Sequence, residues 1–178
     1  METRRIAALA AALTLLPAQA AFAVTGNQSI TADVAPTLQA TFPSDYAWGN
    51  LSPGAAGNTS SEQTINVKSN SAWGVKASSD LTDGKMKEWT GTVYVAASPK
   101  ILTNALTWRM STLGAVAQGT SFAAISSTPS LVAGSQPITG DSGTNVGVTY
   151  KQVISFADAV AGANDYRVAV TFDAAQGY

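Results

Sequence analysis

The sequence predicts an all-β protein, an antiparallel β-sandwich of the immunoglobulin-like or jelly-roll kind with about eight to ten strands. Apolar side chains alternate with small or polar ones in many short segments, as in strands that bury one face. Residues typical of turns separate these segments. No stretch after the first 23 residues repeats its apolar positions with the period of a helix.

The alternation is clearest near the end of the chain. Large apolar side chains occupy every second position from Tyr166 to Phe172, and apolar positions also alternate from Val146 to Phe156. A turn-rich segment, 158–165, joins the two. We therefore predict a hairpin of two long strands that completes the core.

Shorter alternating segments predict strands around Gln63–Val67, Trp73–Ala77 and Ala105–Met110. Trp73 and Trp108 fall in phase with the apolar neighbours of their segments, so we predict that both are core residues. The pattern is least decided from residue 111 to residue 145, where we expect a turn-rich segment from Ser126 to Gly143 that includes an exposed loop.

The first residues have the layout of a secretory signal peptide. Arg4 and Arg5 precede an apolar run from Ile6 to Leu16, and small residues follow Pro17. The run is too short for an uncleaved membrane anchor, which needs about 20 residues. We predict cleavage after Ala23, with Ala20 as the less favoured position, so that residues 1–23 are the leader and residues 24–178 form a single β-sandwich domain.

Composition limits the chemistry. The chain has no cysteine, which excludes thiolate catalysis and thiolate metal sites, and it has no histidine. Charged residues make up 12% of the chain and the net charge is −1. We predict no basic patch for nucleic acid, no cofactor, and no membrane span after the leader is removed.

Acid–base catalysis would have to use carboxylates, as glycosidases do. Glu62 and Glu88 are the two glutamates after the leader, and they are the residues of a glycosidase alternative. Most aspartates lie in turn sequences, where the side chain typically bonds to the backbone. We therefore predict that the protein is not an enzyme.

Two pairs of oxygen ligands suit calcium chemically: Asp80 with Asp83, and Asp141 with Asn145. Neither spacing matches an EF-hand loop, so the sequence favours solvated turns at both places and we predict no metal site.

Three aromatic residues, Tyr46, Trp48 and Trp89, lie in turn-like surroundings. They are the candidate ligand-binding residues, because exposed aromatic rings can bind sugars; the alternative is that they close an end of the sandwich.

At the start of the mature chain, Ile30, Ala32 and Val34 alternate with polar residues. The segment has the pattern of a strand that pairs with its own sheet, or of one that adds to a sheet edge of a neighbouring molecule.

Several short motifs resemble a known family. The sequence segments that carry this resemblance are Trp48–Gly54, Val67–Val75, Gly84–Met86, Leu102–Met110 and Asp165–Phe172. In this order they resemble small secreted β-sandwich surface proteins of bacteria and archaea related to WxL-type cell-surface domains. WxL domains carry two Trp-x-Leu motifs, and here the leucine positions hold Val75 and Met110.

The resemblance implies a non-catalytic role at the cell surface and supplies no catalytic residue. We expect a secreted structural or adhesive protein of the cell surface or extracellular matrix, and a subunit of a surface assembly. The alternative is an extracellular carbohydrate-binding module that uses exposed aromatic residues. The expected partners are the protein itself, other cell-surface proteins, or cell-wall and extracellular polysaccharide.

Overall fold

The structure is a computed structural model that describes residues 28–54, 56–112 and 121–178. The predicted leader, residues 1–23, lies outside the described residues. The chain divides into two units, Met1–Val34 and Ala35–Tyr178. In the described part of the second unit there are twelve strands and no helix, which confirms the all-β prediction.

The strands are β1 (Leu38–Thr41), β2 (Asn58–Thr59), β3 (Gln63–Ser69), β4 (Trp73–Ser79), β5 (Lys85–Trp89), β6 (Ile101–Ala105), β7 (Thr107–Thr112), β8 (Ala123–Ala124), β9 (Ser130–Gln136), β10 (Thr144–Gln152), β11 (Asp165–Arg167) and β12 (Val170–Gln176). The count exceeds the prediction because β2, β8 and β11 have only two or three residues, too few to produce a periodic pattern.

The first sheet is antiparallel and has the order β1-β3-β10-β7-β8, with β2 also paired to β10. β10 lies in its centre, and its residues Val146–Tyr150 are buried one after another. The predicted C-terminal hairpin is wrong, because β10 pairs with β3 and β7, whereas β11 and β12 pair with β5 and β4. Alternation identifies the buried face of a strand, but it does not identify the neighbouring strand.

The remaining strands form two antiparallel groups, β12-β4-β9 and β11-β5-β6. The same two chain segments pair in both groups: β11 pairs with β5, and β12, which follows it, pairs with β4. Arg167 of β11 is opposite Lys87 of β5, and Val170 of β12 is opposite Ser79 of β4. Between them, the Asp80 N–H donates to the Ala169 carbonyl at 3.0 Å, and the Ala169 N–H donates to Asp80 Oδ1 at 2.8 Å. Asp80 thus continues the pairing where both strands are interrupted.

One core cluster draws its side chains from all three sheet groups, including Ile65, Val148, Trp73, Trp108 and Met86. The sheets are not closed into a barrel and pack on this common core, as a β-sandwich requires. Trp73 and Trp108 are 0% and 2% exposed, so the prediction that both are core residues is confirmed. Burial of one such aromatic side chain contributes about 4–6 kcal/mol as an upper bound.

Two strand predictions need correction. Residues 28–37 form no strand, and the first strand, β1, begins at Leu38. The Ser126–Gly143 segment, predicted to be turn-rich, contains β9. β9 shows no alternation because its register against β4 shifts twice, so that Val132, Ala133 and Gly134 are buried in succession.

The turn between β4 and β5 requires glycine at position 84. Gly84 has a φ of +63°, and a Cβ atom there would lie 2.1 Å from the carbonyl oxygen of Ile125. We expect Gly84→Ala to lower the free energy of unfolding by about 2–4 kcal/mol, because the substitution adds a backbone clash to a left-handed conformation. Denaturant unfolding measures this change.

Gly49→Ala is the matched control, because a Cβ atom at Gly49 meets nothing within 4 Å. We expect it to change the free energy of unfolding by less than about 0.5 kcal/mol. Equal effects of the two substitutions would contradict this account of the turn.

Candidate functional site

The three predicted aromatic residues fall into two separate pairs. Tyr46 packs edge-on against Trp48, with ring centroids 5.1 Å apart and ring planes at 88°. Tyr46 is 37% exposed, as predicted for a surface residue. Trp48 is half-buried against the core, and its Nε1 atom is buried without a partner among the described residues. Trp48 is therefore less accessible than its turn-like sequence context predicted.

Trp89 forms the second pair, with Tyr94. Trp89 is the last residue of β5, and a tight turn held by the hydrogen bond from the Thr90 N–H to the Val93 carbonyl brings Tyr94 back beside it. The ring centroids are 4.9 Å apart and the ring planes meet at 70°. Both side chains are half-buried, so each ring keeps part of its surface in contact with solvent.

Two cationic side chains lie against this pair. The guanidinium carbon of Arg167 is 4.3 Å from the centroid of the Trp89 ring and 5.9 Å from that of Tyr94. The Nζ atom of Lys87 is 6.0 Å from the Tyr94 centroid. These distances are those of cation–π contacts, which hold a flexible cationic side chain in one place.

Asp80 fixes the position of Tyr94. The Tyr94 hydroxyl donates to Asp80 Oδ2 at 2.6 Å, while Oδ1 of the same carboxylate accepts the Ala169 N–H. Burial first, and then the hydrogen bond to Asp80, raise the pKa of Tyr94 to about 12. Tyr94 is therefore a protonated donor at neutral pH, and both Asp80 oxygens are engaged within the protein.

Strand pairing places these residues on the outward face of the β11-β5-β6 group. Along β5, Met86 and Glu88 are buried, so Lys85, Lys87 and Trp89 point to the other face. Across the sheet, Lys87 is opposite Arg167 on one side and Ile101 on the other. We name Lys85, Lys87, Trp89, Tyr94, Ile101 and Arg167 the outward β5 face.

The sequence identified Trp89 on this face but not its cationic neighbours. The Tyr166–Phe172 alternation placed Arg167 on the polar side of its strand, yet no sequence signal gave the strand that lies beside it. For the same reason, no sequence signal indicated that Arg167 shares one face with Lys85 and Lys87, which are far from it along the chain.

Glu88, one of the two candidate carboxylates, is buried at 7% exposure. Asn164 donates to its Oε1 at 2.9 Å, and the Lys100 backbone N–H donates to its Oε2 at 3.1 Å. These two hydrogen bonds, that of Asn164 first, lower the pKa of Glu88. Glu62 is exposed next to β3 of the first sheet. The lowered pKa suits a structural anion and not a proton donor at neutral pH.

Three of the four side chains whose oxygens suit calcium are engaged in protein contacts, and Asp80 is one of them. Asp83 Oδ1 accepts the Lys85 N–H at 3.1 Å, and Asn145 Oδ1 accepts the Asn66 amide at 2.7 Å. In the described ranges, no three acidic residues gather in a group able to hold a metal ion.

A polar groove of about 370 Å³ lies where β1 and β3 meet residues 139–141. Hydroxyl and amide groups line it together with Lys68 and Asp141, and none of the described residues that line it is aromatic. We therefore place the candidate ligand site at the outward β5 face, where rings and charges occur together.

The predicted strand-donating segment is accessible. Residues 28–37 are exposed, and Ile30 and Val34 keep 84% and 83% of their surface in solvent. Ala32, between them, is exposed as well.

Neither the protein-family models nor the curated proteins include a match to this chain. Within residues 28–54, 56–112 and 121–178, no helix has the length and apolar character to cross a membrane.

The Glu88 contacts predict a pH-dependent difference in stability. Because folding lowers the pKa of Glu88, the carboxylate stabilises the fold above its unfolded pKa of about 4.3 and loses that contribution as the pH falls through the lower folded value. We expect wild type to have a higher thermal midpoint than Glu88→Gln at pH 7, with the gap closing below about pH 4.3. Thermal unfolding between pH 7 and pH 3 measures the gap.

Asp45→Asn, at an exposed position, serves as the control and should follow wild type at every pH. A gap between wild type and Glu88→Gln that stays constant down to pH 3 would refute the role of the Glu88 charge.

Proposed function

We propose that the protein is a secreted, non-catalytic structural or adhesive component of the cell surface or extracellular matrix, and that it is a subunit of a surface assembly. Residues 1–23 direct export and are removed after Ala23. The observation that supports assembly most directly is the exposed apolar segment at Ile30 and Val34, which belongs to no strand.

Strand addition is the mechanism of assembly. Residues 30–34 of one molecule extend along a sheet edge of the next, where the backbone groups form ladder hydrogen bonds and the alternate side chains enter apolar sites. Burial of one isoleucine and one valine side chain contributes about 3–6 kcal/mol in total. This is enough to make assembly sensitive to these two residues.

A non-catalytic role fits the state of the candidate carboxylates. Glu88 is held ionised by Asn164 and Lys100, and Glu62 is exposed next to a different sheet. Glycosidase catalysis needs one carboxyl group that stays protonated near neutral pH and faces its partner across the substrate. Glu88 does not fit the role of the protonated carboxyl group that a glycosidase needs.

Replacing both donor residues should abolish assembly. We expect Ile30→Ser/Val34→Ser to self-associate at least about 100-fold more weakly than wild type, because the substitution removes the two apolar groups that a neighbour buries. Size-exclusion chromatography and electron microscopy of the mature chain measure this association.

Ile138→Ser/Val160→Ser is the control, because it removes the same residue types from other exposed positions, 66% and 84% exposed. It should assemble like wild type. The proposal fails if assembly is unchanged both in Ile30→Ser/Val34→Ser and in a chain that lacks residues 24–35.

A second candidate function is binding of extracellular glycan. The observation that favours it is the outward β5 face, where Trp89 and Tyr94 lie beside Arg167 and Lys87. Partly exposed rings give sugars an apolar surface, and fixed polar groups beside them give orientation.

This candidate predicts that Trp89→Ala binds immobilised polysaccharide about tenfold more weakly than wild type, because the ring contact is lost. Phe42→Ala is the control, because Phe42 is also a partly exposed ring but stacks on Phe172, 6.1 Å away in β12. Thermal midpoints of both variants show whether the fold is kept. Equal retention of wild type and Trp89→Ala would rule out this role for the face.

A further inference from the structure

The outward β5 face concentrates positive charge in a protein that is slightly acidic. Lys85, Lys87 and Arg167 are three of the ten lysine and arginine residues of a chain whose net charge is −1. Lys87 and Arg167 are opposite each other across β5 and β11. Side chains two apart on a strand are roughly 7 Å apart, and directly opposite ones about 5 Å apart, so the three cations form a compact group.

Three exposed acidic side chains lie near this group. Asp165 is exposed and pairs in register with Trp89, and Asp83 Oδ1 accepts the backbone N–H of Lys85. Asp80 is exposed as well, but both of its carboxylate oxygens accept hydrogen bonds, one from Tyr94 and one from Ala169, whereas Glu88 points to the buried side of the sheet. The face therefore has three cations and three exposed carboxylates, and one of these carboxylates, Asp80, is fully engaged within the protein.

The cationic groups are available to a ligand. Among the described residues, the hydrogen bonds involve neither the Arg167 guanidinium nor the Lys85 and Lys87 ammonium groups, and the contacts of Arg167 and Lys87 are with aromatic rings. A guanidinium that lies over an indole ring, here 4.3 Å from its centroid, can still bind a carboxylate or phosphate with two hydrogen bonds.

We infer that the outward β5 face binds an acidic polysaccharide, in which carboxylate- or phosphate-bearing sugars alternate with apolar sugar faces. Arg167, Lys85 and Lys87 bind the anionic groups of the polysaccharide. Trp89, Tyr94 and Ile101 contact the carbon atoms of its sugar rings. An open strand face with cations in a group suits a polymer with repeated anions better than a single small anion. The inference rests on the second candidate function and specifies its ligand.

Affinity gel electrophoresis with three probes tests this ligand class: sodium polygalacturonate as the acidic polysaccharide, dextran as the neutral one, and single-stranded DNA as a different polyanion. We expect polygalacturonate to retard the wild-type protein, dextran to have little effect, and added salt to weaken the retardation because exposed charges are screened. DNA should retard the protein less than polygalacturonate does, because the rings contact sugar faces.

Lys85→Gln/Lys87→Gln should bind polygalacturonate roughly tenfold more weakly, and Asp165→Asn should bind it more tightly. The control is Lys68→Gln/Lys76→Gln, which changes the net charge equally on β3 and β4 and should stay within about twofold of wild type.

Four results would overturn the inference. Equal losses in the two lysine variants would show a general charge effect and not this face. Stronger retardation by DNA would make the face a nucleic-acid surface. Equal retardation by dextran, lost in Trp89→Ala, would refute the acidic ligand and leave the second candidate function standing. No retardation by either polysaccharide would refute both.

Discussion

The burial of one face of each sheet in a common core is the constraint on which the other features depend. Trp73 and Trp108 come from different sheets, and both are buried. The Trp73 indole N–H donates to the Pro137 carbonyl at 2.8 Å, so the one hydrogen-bond donor of this large side chain is satisfied inside the apolar core. Once these faces are buried, the alternation of side chains along each strand decides which residues face solvent.

The candidate site follows from that rule. Met86 and Glu88 take the buried positions of β5, which leaves Lys87 and Trp89 outside. Asp80 then links the site to the fold, because one of its carboxylate oxygens holds the Ala169 backbone and the other holds the Tyr94 hydroxyl. The face is thus built on paired strands and on a turn hydrogen-bonded to them, which is where a preorganised binding surface is expected.

Sequence patterns predicted the features that depend on the alternation of side chains within one strand. They failed where the structure depends on which distant segments pair with each other. The alternation at Gln63–Val67 and Trp73–Ala77 gave β3 and β4, because each strand has one clearly buried face. The same alternation could not show that β10 and β12 pair with other strands, and it disappeared in β9, where the register shifts. Trp89 was found by its turn context, but its cation–π partner Arg167 comes from a strand far along the chain.

We propose that the chain is exported and works as an assembling component of the cell surface. Fractionation of the native host into medium, salt-washed cell wall and membrane, each run on a native gel, tests this proposal. We expect high-molecular-weight ladders in the wall or matrix fraction, made of chains whose first residue is Val24. Intact chains that keep their first 23 residues inside the cell, or monomers free in the medium, would contradict it.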